Sequence, residues 1–252
     1  MLQRPLPYQL TTSSYADCLA GRFYITMTNS GTAAAHLAIY ANAFRSDGPW
    51  QYDVPAGAAI SDYFSVALFG GGRYDMSAYG PNGFERRFAG NINTLCNQLE
   101  ASCSLDPNAG TVTLALRNST ASTAAFTITA NAYLSGGPWN YSVAANNTFL
   151  ATFLVATNNN WYDLTATTSR DTSFLRRFAG HIEPPPSLGR TMLNFTVSGG
   201  VIHFVWTGSP TVRLQSTTSL NPPSWLDVAG TLGASAADVP TTGPAAYFRL
   251  AQ

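Results

Sequence analysis

The chain has 252 residues, no net charge, and only 10% charged residues, and every basic side chain is Arg, none Lys. With acids and bases interspersed there is no basic stripe to neutralise phosphates, which argues against a nucleic-acid partner, and no apolar run reaches the length that spans a bilayer. The polar surface has to come from Ser, Thr, Asn and Gln, a usage common in secreted β-rich proteins.

Residues 1–20 read as an entry strap, because Pro5 and Pro7 remove backbone donors at its start. Its first residues lack the apolar core of a signal peptide, so an exported form would be a piece of something longer. The first repeat, 21–92, opens with Phe23, Ile25 and Met27 alternating against Tyr24, Thr26 and Thr28, the period of a half-buried strand. Asn29-Ser30-Gly31 turns the chain. Leu37 to Phe44, Gln51 to Val54, Ile60 to Val66, Arg73 to Tyr79 and Gly83 to Gly90 follow as strands, separated by Gly- and Pro-containing turns such as Gly48-Pro49-Trp50. No stretch has helical periodicity.

Residues 93–109 read as a linker carrying Cys96 and Cys103, whose closeness in sequence suits a small disulfide staple. A bridge to Cys18 is the alternative, with three free thiols as the last possibility. The second repeat, 110–183, then copies the first. Asn118-Ser119, Asn131-Ala132-Tyr133, Gly137-Pro138-Trp139 and Phe153 each lie 89 positions after their counterparts, and Arg86-Arg87-Phe88-Ala89-Gly90 returns as Arg176-Arg177-Phe178-Ala179-Gly180. Such internal agreement identifies two homologous modules. Pro184-Pro185-Pro186 opens a polyproline spacer, 184–191, and 192–252 forms a smaller β module with a Gly199-Gly200 hairpin turn. The expected fold is all-β: tandem immunoglobulin-like β-sandwich modules plus a smaller C-terminal β-sandwich module.

Arg4-Pro5-Leu6-Pro7-Tyr8, the Gly-Pro-Trp turns, Tyr74-Asp75 followed by Gly80-Pro81-Asn82-Gly83-Phe84, and the two Arg-Arg-Phe-Ala-Gly closures resemble the duplicated C-terminal domain of bacterial phosphocholine-preferring phospholipases C. The resemblance covers roughly residues 4–183. It implies an accessory region following a phosphoesterase domain that holds the metal and nucleophile and has no counterpart in this chain. Leu214-Gln215-Ser216-Thr217-Thr218-Ser219-Leu220, Trp225 and the closing Tyr247-Phe248-Arg249-Leu250 resemble the fibronectin-like repeats at the C-termini of bacterial secreted proteins.

No constellation looks catalytic. His36, His181 and His203 are scattered, no histidine is spaced to join the cysteines in a metal site, and Gly70-Gly71-Gly72 lacks the Lys of a phosphate loop, so no catalytic residue, metal or cofactor is expected. One Arg of each pair must sit among aromatics, and a desolvated guanidinium demands a partner. Asp75 is the expected partner of Arg86 and Asp163 that of Arg176, as structural pairs; phosphate binding by the arginines is the competing reading. Repeated Trp50 and Trp139 suit either core or surface. Trp161 and Tyr162, beside an Asn-rich loop, and Arg73, the repeat counterpart of Trp161, are the candidate binding residues. The candidate partners are membrane lipid or a cell-surface glycan, with assembly through uncovered strand edges as the structural alternative.

Overall fold

The computed structural model describes residues 6–183, 193–206, 210–242 and 245–251. The first module contains β1 (Leu10–Asp17), β2 (Arg22–Asn29), β3 (Ala35–Ala43), β4 (Trp50–Val54), β5 (Ala58–Ser65), a single helical turn α1 (Val66–Gly70), β6 (Arg73–Tyr79) and β7 (Glu85–Asn91). The second contains β8 (Leu99–Asp106), β9 (Thr111–Asn118), β10 (Ala124–Ala132), β11 (Trp139–Val143), β12 (Asn147–Leu154), β13 (Trp161–Thr168) and β14 (Asp171–His181). All strand pairings are antiparallel. In each module a three-stranded sheet, β1-β2-β5 or β12-β9-β8, packs over four strands, β4-β3-β6-β7 or β11-β10-β13-β14.

Alternation explains each core. Phe23, Ile25 and Met27 of β2 face Leu37 and Ile39 of β3 and Met76 of β6. In the second module Val112, Leu114, Leu116, Phe126, Ile128 and Leu164 occupy the corresponding layer. Each such side chain contributes about 1.5–3 kcal/mol by leaving water. A buried asparagine closes each module at the same place. Asn29 Nδ2 donates to the carbonyls of Ala33 and Val54, and Asn118 Nδ2 to those of Ser122 and Val143, so a turn is tied to the end of the fourth strand.

The strap and linker of the sequence reading contain strands. Residues 10–17 pair with β2 from Leu10↔Asn29 to Asp17↔Arg22, and 99–106 pair with β9 from Leu99↔Asn118 to Asp106↔Thr111. Hydroxyl and small residues hide the period of two in β1, where only Leu10 and Ala16 are buried apolar positions. The turn α1 was also unexpected, and five residues are too few to display a helical period.

The modules are fused through their sheets. β7 pairs with β14, so the two four-stranded layers run together as one eight-stranded sheet, β11-β10-β13-β14-β7-β6-β3-β4. At the centre of that seam Arg87 lies opposite Arg177, its own repeat counterpart, with Arg86 opposite Phe178 and Phe88 opposite Arg176. The register therefore relates the modules by an approximate twofold axis.

The chain divides into two units at Pro185 and Pro186. The second unit has β15 (Asn194–Ser198), β16 (Val201–Val205), β17 (Arg213–Thr217), β18 (Leu226–Asp227), β19 (Ala236–Pro240) and β20 (Tyr247–Ala251), arranged as sheets β15-β16-β19 and β18-β17-β20. Gly199 and Gly200 supply the positive φ of its first hairpin turn, and Phe204, Trp206, Val212 and Leu214 form its core. The polyproline spacer lies outside the described residues.

Candidate functional site

The two arginines of each closing motif do different work because adjacent strand residues project to opposite faces. Arg87 holds Asp75 bidentately, Nε to Oδ1 at 2.7 Å and Nη2 to Oδ2 at 2.6 Å. Arg177 holds Asp163 in the same way at 2.8 and 2.6 Å, and Asn42 and Asn131 each donate to the carboxylate of their own module. This corrects the expectation that Asp75 meets Arg86 and Asp163 meets Arg176. The register puts Asp75 opposite Ala89 and Ser77 opposite Arg87, so Asp75 and Arg87 are diagonal neighbours on one face, and Arg86 points through the sheet to the other.

Arg86 and Arg176 cross the seam instead. Arg86, 2% exposed, donates to the carbonyl of Ala179 at 2.7 Å and to the Tyr162 hydroxyl at 2.8 Å, with its guanidinium over the ring of Phe84. Arg176, 3% exposed, reaches back to the carbonyl of Ala89 at 2.8 Å and the Tyr74 hydroxyl at 3.2 Å. Arg176 also has a carboxylate: Glu100, curling round the edge of β8, takes Nε at 2.6 Å and Nη2 at 3.0 Å. Burial by itself would weaken the charge on Arg176, but Glu100 and Tyr74 outweigh it and hold the guanidinium more firmly protonated than usual. Burial pushes the pKa of both tyrosine hydroxyls above the ordinary value, with their arginines pulling partly back, so each remains neutral and accepts from its arginine.

Two clefts lie beside the seam; Arg176 lines one of them, and Arg86 is not among the residues that line the other. Beside Arg176 the space is about 20 Å³. The Cys18–Cys96 disulfide, with Cα atoms 6.2 Å apart, and Asn97, which accepts from the Ala16 amide at 2.8 Å and donates to its carbonyl, close it. The twin cleft on the Arg86 side has a volume of about 500 Å³, lies between β1 and β8, and is walled by Tyr8, Leu10, Phe84, Leu105 and Tyr162 among others. At its mouth Glu183 accepts from Asn82 at 2.6 Å and from the Leu6 amide at 3.4 Å and meets His181 Nδ1 at 2.9 Å.

The disulfide corrects the expected Cys96–Cys103 staple. Cys96 lies in the turn before β8 and meets Cys18 in the turn after β1, whereas Cys103 lies within β8 opposite Leu114 and is a free thiol lining the open cleft. Burial pushes that thiol's pKa up, with Arg86 partly opposing.

Of the candidate binding residues, Tyr162 is 1% exposed and serves Arg86. Trp161 is half-buried, packed on Tyr133 and His181 with ring centroids 5.7 and 4.9 Å away. Arg73 is exposed, near the ring of Phe44. Trp50 and Trp139 pack edge-on against Phe64 and Phe153. The structure adds an apolar tip absent from the sequence reading: Leu68 and Phe69 on α1, 78% and 51% exposed, beside Phe44 at 45%. Arg45 lies over Phe69 at 4.6 Å and is clamped by Asp47. Glu100 and the two tyrosine hydroxyls were also missed. The tyrosines carried a signal, since Tyr74 and Tyr162 recur at one repeat position; Glu100 had none, because its counterpart is Thr11.

Among the described residues no three His, Cys, Asp or Glu side chains converge as metal ligands. The family model described as bacterial phospholipase C, C-terminal domain, matches residues 2–91 and again 99–181, one match for each seven-stranded module. The chain belongs to that family. A non-hemolytic phospholipase C of Burkholderia pseudomallei is 36% identical over 183 residues, spanning 71% of this chain and 26% of that protein. A hemolytic phospholipase C of Pseudomonas aeruginosa is 31% identical over 206 residues, spanning 72% and 28%. The chain thus spans little more than a quarter of the length of these curated relatives.

Proposed function

We propose that this phospholipase C C-terminal domain is a non-catalytic accessory region of a secreted bacterial enzyme, which engages lipid or a cell surface and positions the catalytic part. The observation that carries the reading is the tip of the first module. Leu68, Phe69 and Phe44 expose apolar side chains on one turn and its neighbouring loop, with Arg45 and Arg73 beside them. Aromatic and leucine side chains flanked by arginine suit the boundary between acyl chains and headgroups. The fused eight-stranded sheet behind the tip supplies a rigid mount.

Co-sedimentation of the chain with phosphatidylcholine, sphingomyelin and anionic liposomes tests this. Saturable binding is expected, weakened about tenfold or more in the Leu68→Ser/Phe69→Ser double variant, since each side chain loses roughly 1.5–3 kcal/mol of apolar burial. Both positions are exposed, so the variant is expected to fold normally. Absence of binding to every liposome, or equal binding by the variant, overturns the reading.

A further inference from the structure

We infer that the open cleft takes an extended peptide segment of about four residues, which inserts between β1 and β8 and pairs with both. β1 is the outer strand of the sheet β1-β2-β5 and β8 that of β12-β9-β8, so each has one edge unpaired among the described residues. The two edges face each other. At one end they meet, where Ser14 Oγ donates to Glu100 at 3.4 Å and Asn97 engages the main chain of Ala16. From Leu10 to Ser13 and from Ser102 to Leu105 they part, and about 500 Å³ opens between them. Antiparallel pairing alternates along a strand, which fixes where each main-chain group points. Ser30 N donates to Gln9 O and Ser119 N to Gln98 O, so those two residues turn towards their own sheets. By the same alternation Leu10 and Thr12 of β1, and Cys103 and Leu105 of β8, aim their N–H and C=O groups away from their sheets and towards the cleft they line.

The closed end shows what chemistry satisfies such an edge. Ala16 and Leu105 are repeat counterparts, 89 positions apart. At Ala16 a side-chain amide stands in for a neighbouring strand: Asn97 accepts from the N–H at 2.8 Å and donates to the C=O. The counterpart of Asn97 at the open end is Tyr8, which carries no amide, and no described residue supplies one to Leu105. An incoming main chain brings amide groups on both of its edges, so one strand satisfies β1 and β8 together, whereas a second copy docked edge to edge would satisfy only one. Its insertion also continues the existing seam. The β7–β14 pairing fuses one layer, and a strand in the cleft joins β5-β2-β1 to β8-β9-β12 in the other. Side chains of the segment alternate in direction. Inward ones meet Phe84 and the half-buried Tyr8 and Leu105, which suits small apolar residues, and outward ones lie among the exposed Thr11, Ser13, Ser102 and Ser104, which suits hydroxyl residues. The segment belongs to the part of a full-length enzyme outside this domain: the matched region is little more than a quarter of the curated relatives, and Leu6, at the head of the first module, lines the cleft. That source rests on the reading above, in which the domain positions the catalytic part.

Titration of the full chain with two kinds of peptide tests the site: a designed probe, acetyl-Thr-Val-Thr-Val-Thr-amide, and overlapping short peptides covering the Burkholderia pseudomallei phospholipase C outside its matched 183 residues. Saturable one-to-one binding of the probe and of at least one natural segment is expected, each displacing the other. Hydrogen exchange at the amides of Leu10, Thr12, Cys103 and Leu105 is expected to slow on binding. N-methylation of the probe at alternate residues removes its donors to one edge at a time; in either register it is expected to weaken binding about tenfold, because both edges are used. Leu105→Pro removes a cleft-facing N–H and no β8–β9 ladder bond, and is expected to weaken binding several-fold beyond Leu105→Ala, which keeps that N–H. Absence of binding by every peptide, binding by the designed probe alone, indifference to one N-methyl register, or unchanged exchange at the four amides overturns the proposal. Liposome binding is measured on the chain without peptide, so failure of the cleft and failure of the membrane reading are told apart.

Discussion

The two clefts beside the seam grow from one repeated pattern and end differently. Around Arg176 the chain supplies its own anion, Glu100, and its own lid, the disulfide-bonded turn, and about 20 Å³ remains. On the other side the corresponding position is Thr11, no disulfide covers the cleft, and about 500 Å³ stays open between β1 and β8. The contrast teaches that the arginine-to-tyrosine hydrogen bond and the backbone carbonyl are what fusing the modules requires. The carboxylate and the lid are additions made on one side, and the other side keeps an open cleft.

Three experiments sharpen that contrast. The largest effect is expected from the lid. Replacing Cys18 and Cys96 by Ser frees a bridge between residues 78 apart, which should cost about 4 kcal/mol, read as a fall in the denaturation midpoint of the first unit. A midpoint that holds would mean that Asn97 and the seam suffice to close that side. Next is the internal anion. Glu100→Ala leaves Arg176 buried without its carboxylate and should cost about 3 kcal/mol, whereas Thr11→Ala, at the twin position, should stay within about 0.5 kcal/mol. Equal effects of the two substitutions would erase the asymmetry argued above. The smallest effect is expected at the pairs that both modules share. Asp75→Asn breaks a bidentate contact to Arg87, whose side chain is 34% exposed, and solvent screening limits the loss to about 1 kcal/mol. Asp163→Asn should cost the same or slightly more, because its arginine is similarly exposed and the carboxylate is more buried.

Legibility in the sequence followed the strength of local pattern. β2, β3 and β6 were readable because bulky apolar residues alternate along them. β1 was not, since Thr and Ser occupy most of its length and its pairing partner, β2, supplies the order. The Asp–Arg contacts illustrate the same limit at the level of single residues. Residue types and the need for a partner were visible in Tyr74-Asp75 and Arg86-Arg87. Which arginine takes the carboxylate depends on a register of one residue, and only strand pairing sets that. Cys96 was likewise misassigned by proximity in sequence, because its partner arrives from a turn 78 residues earlier.

The sequence by itself determined the duplication, the all-β character and the membership in the phospholipase C C-terminal family. Those rest on residue identity at fixed spacing, which needs no third dimension. Only the tertiary structure decided that β7 and β14 join the modules into one sheet, that Arg86 and Arg176 cross the seam while Arg87 and Arg177 stay at home, and that one cleft is closed and the other open. These depend on which faces and edges come together, and the energies that choose among them arise from burial and pairing between residues far apart in the chain.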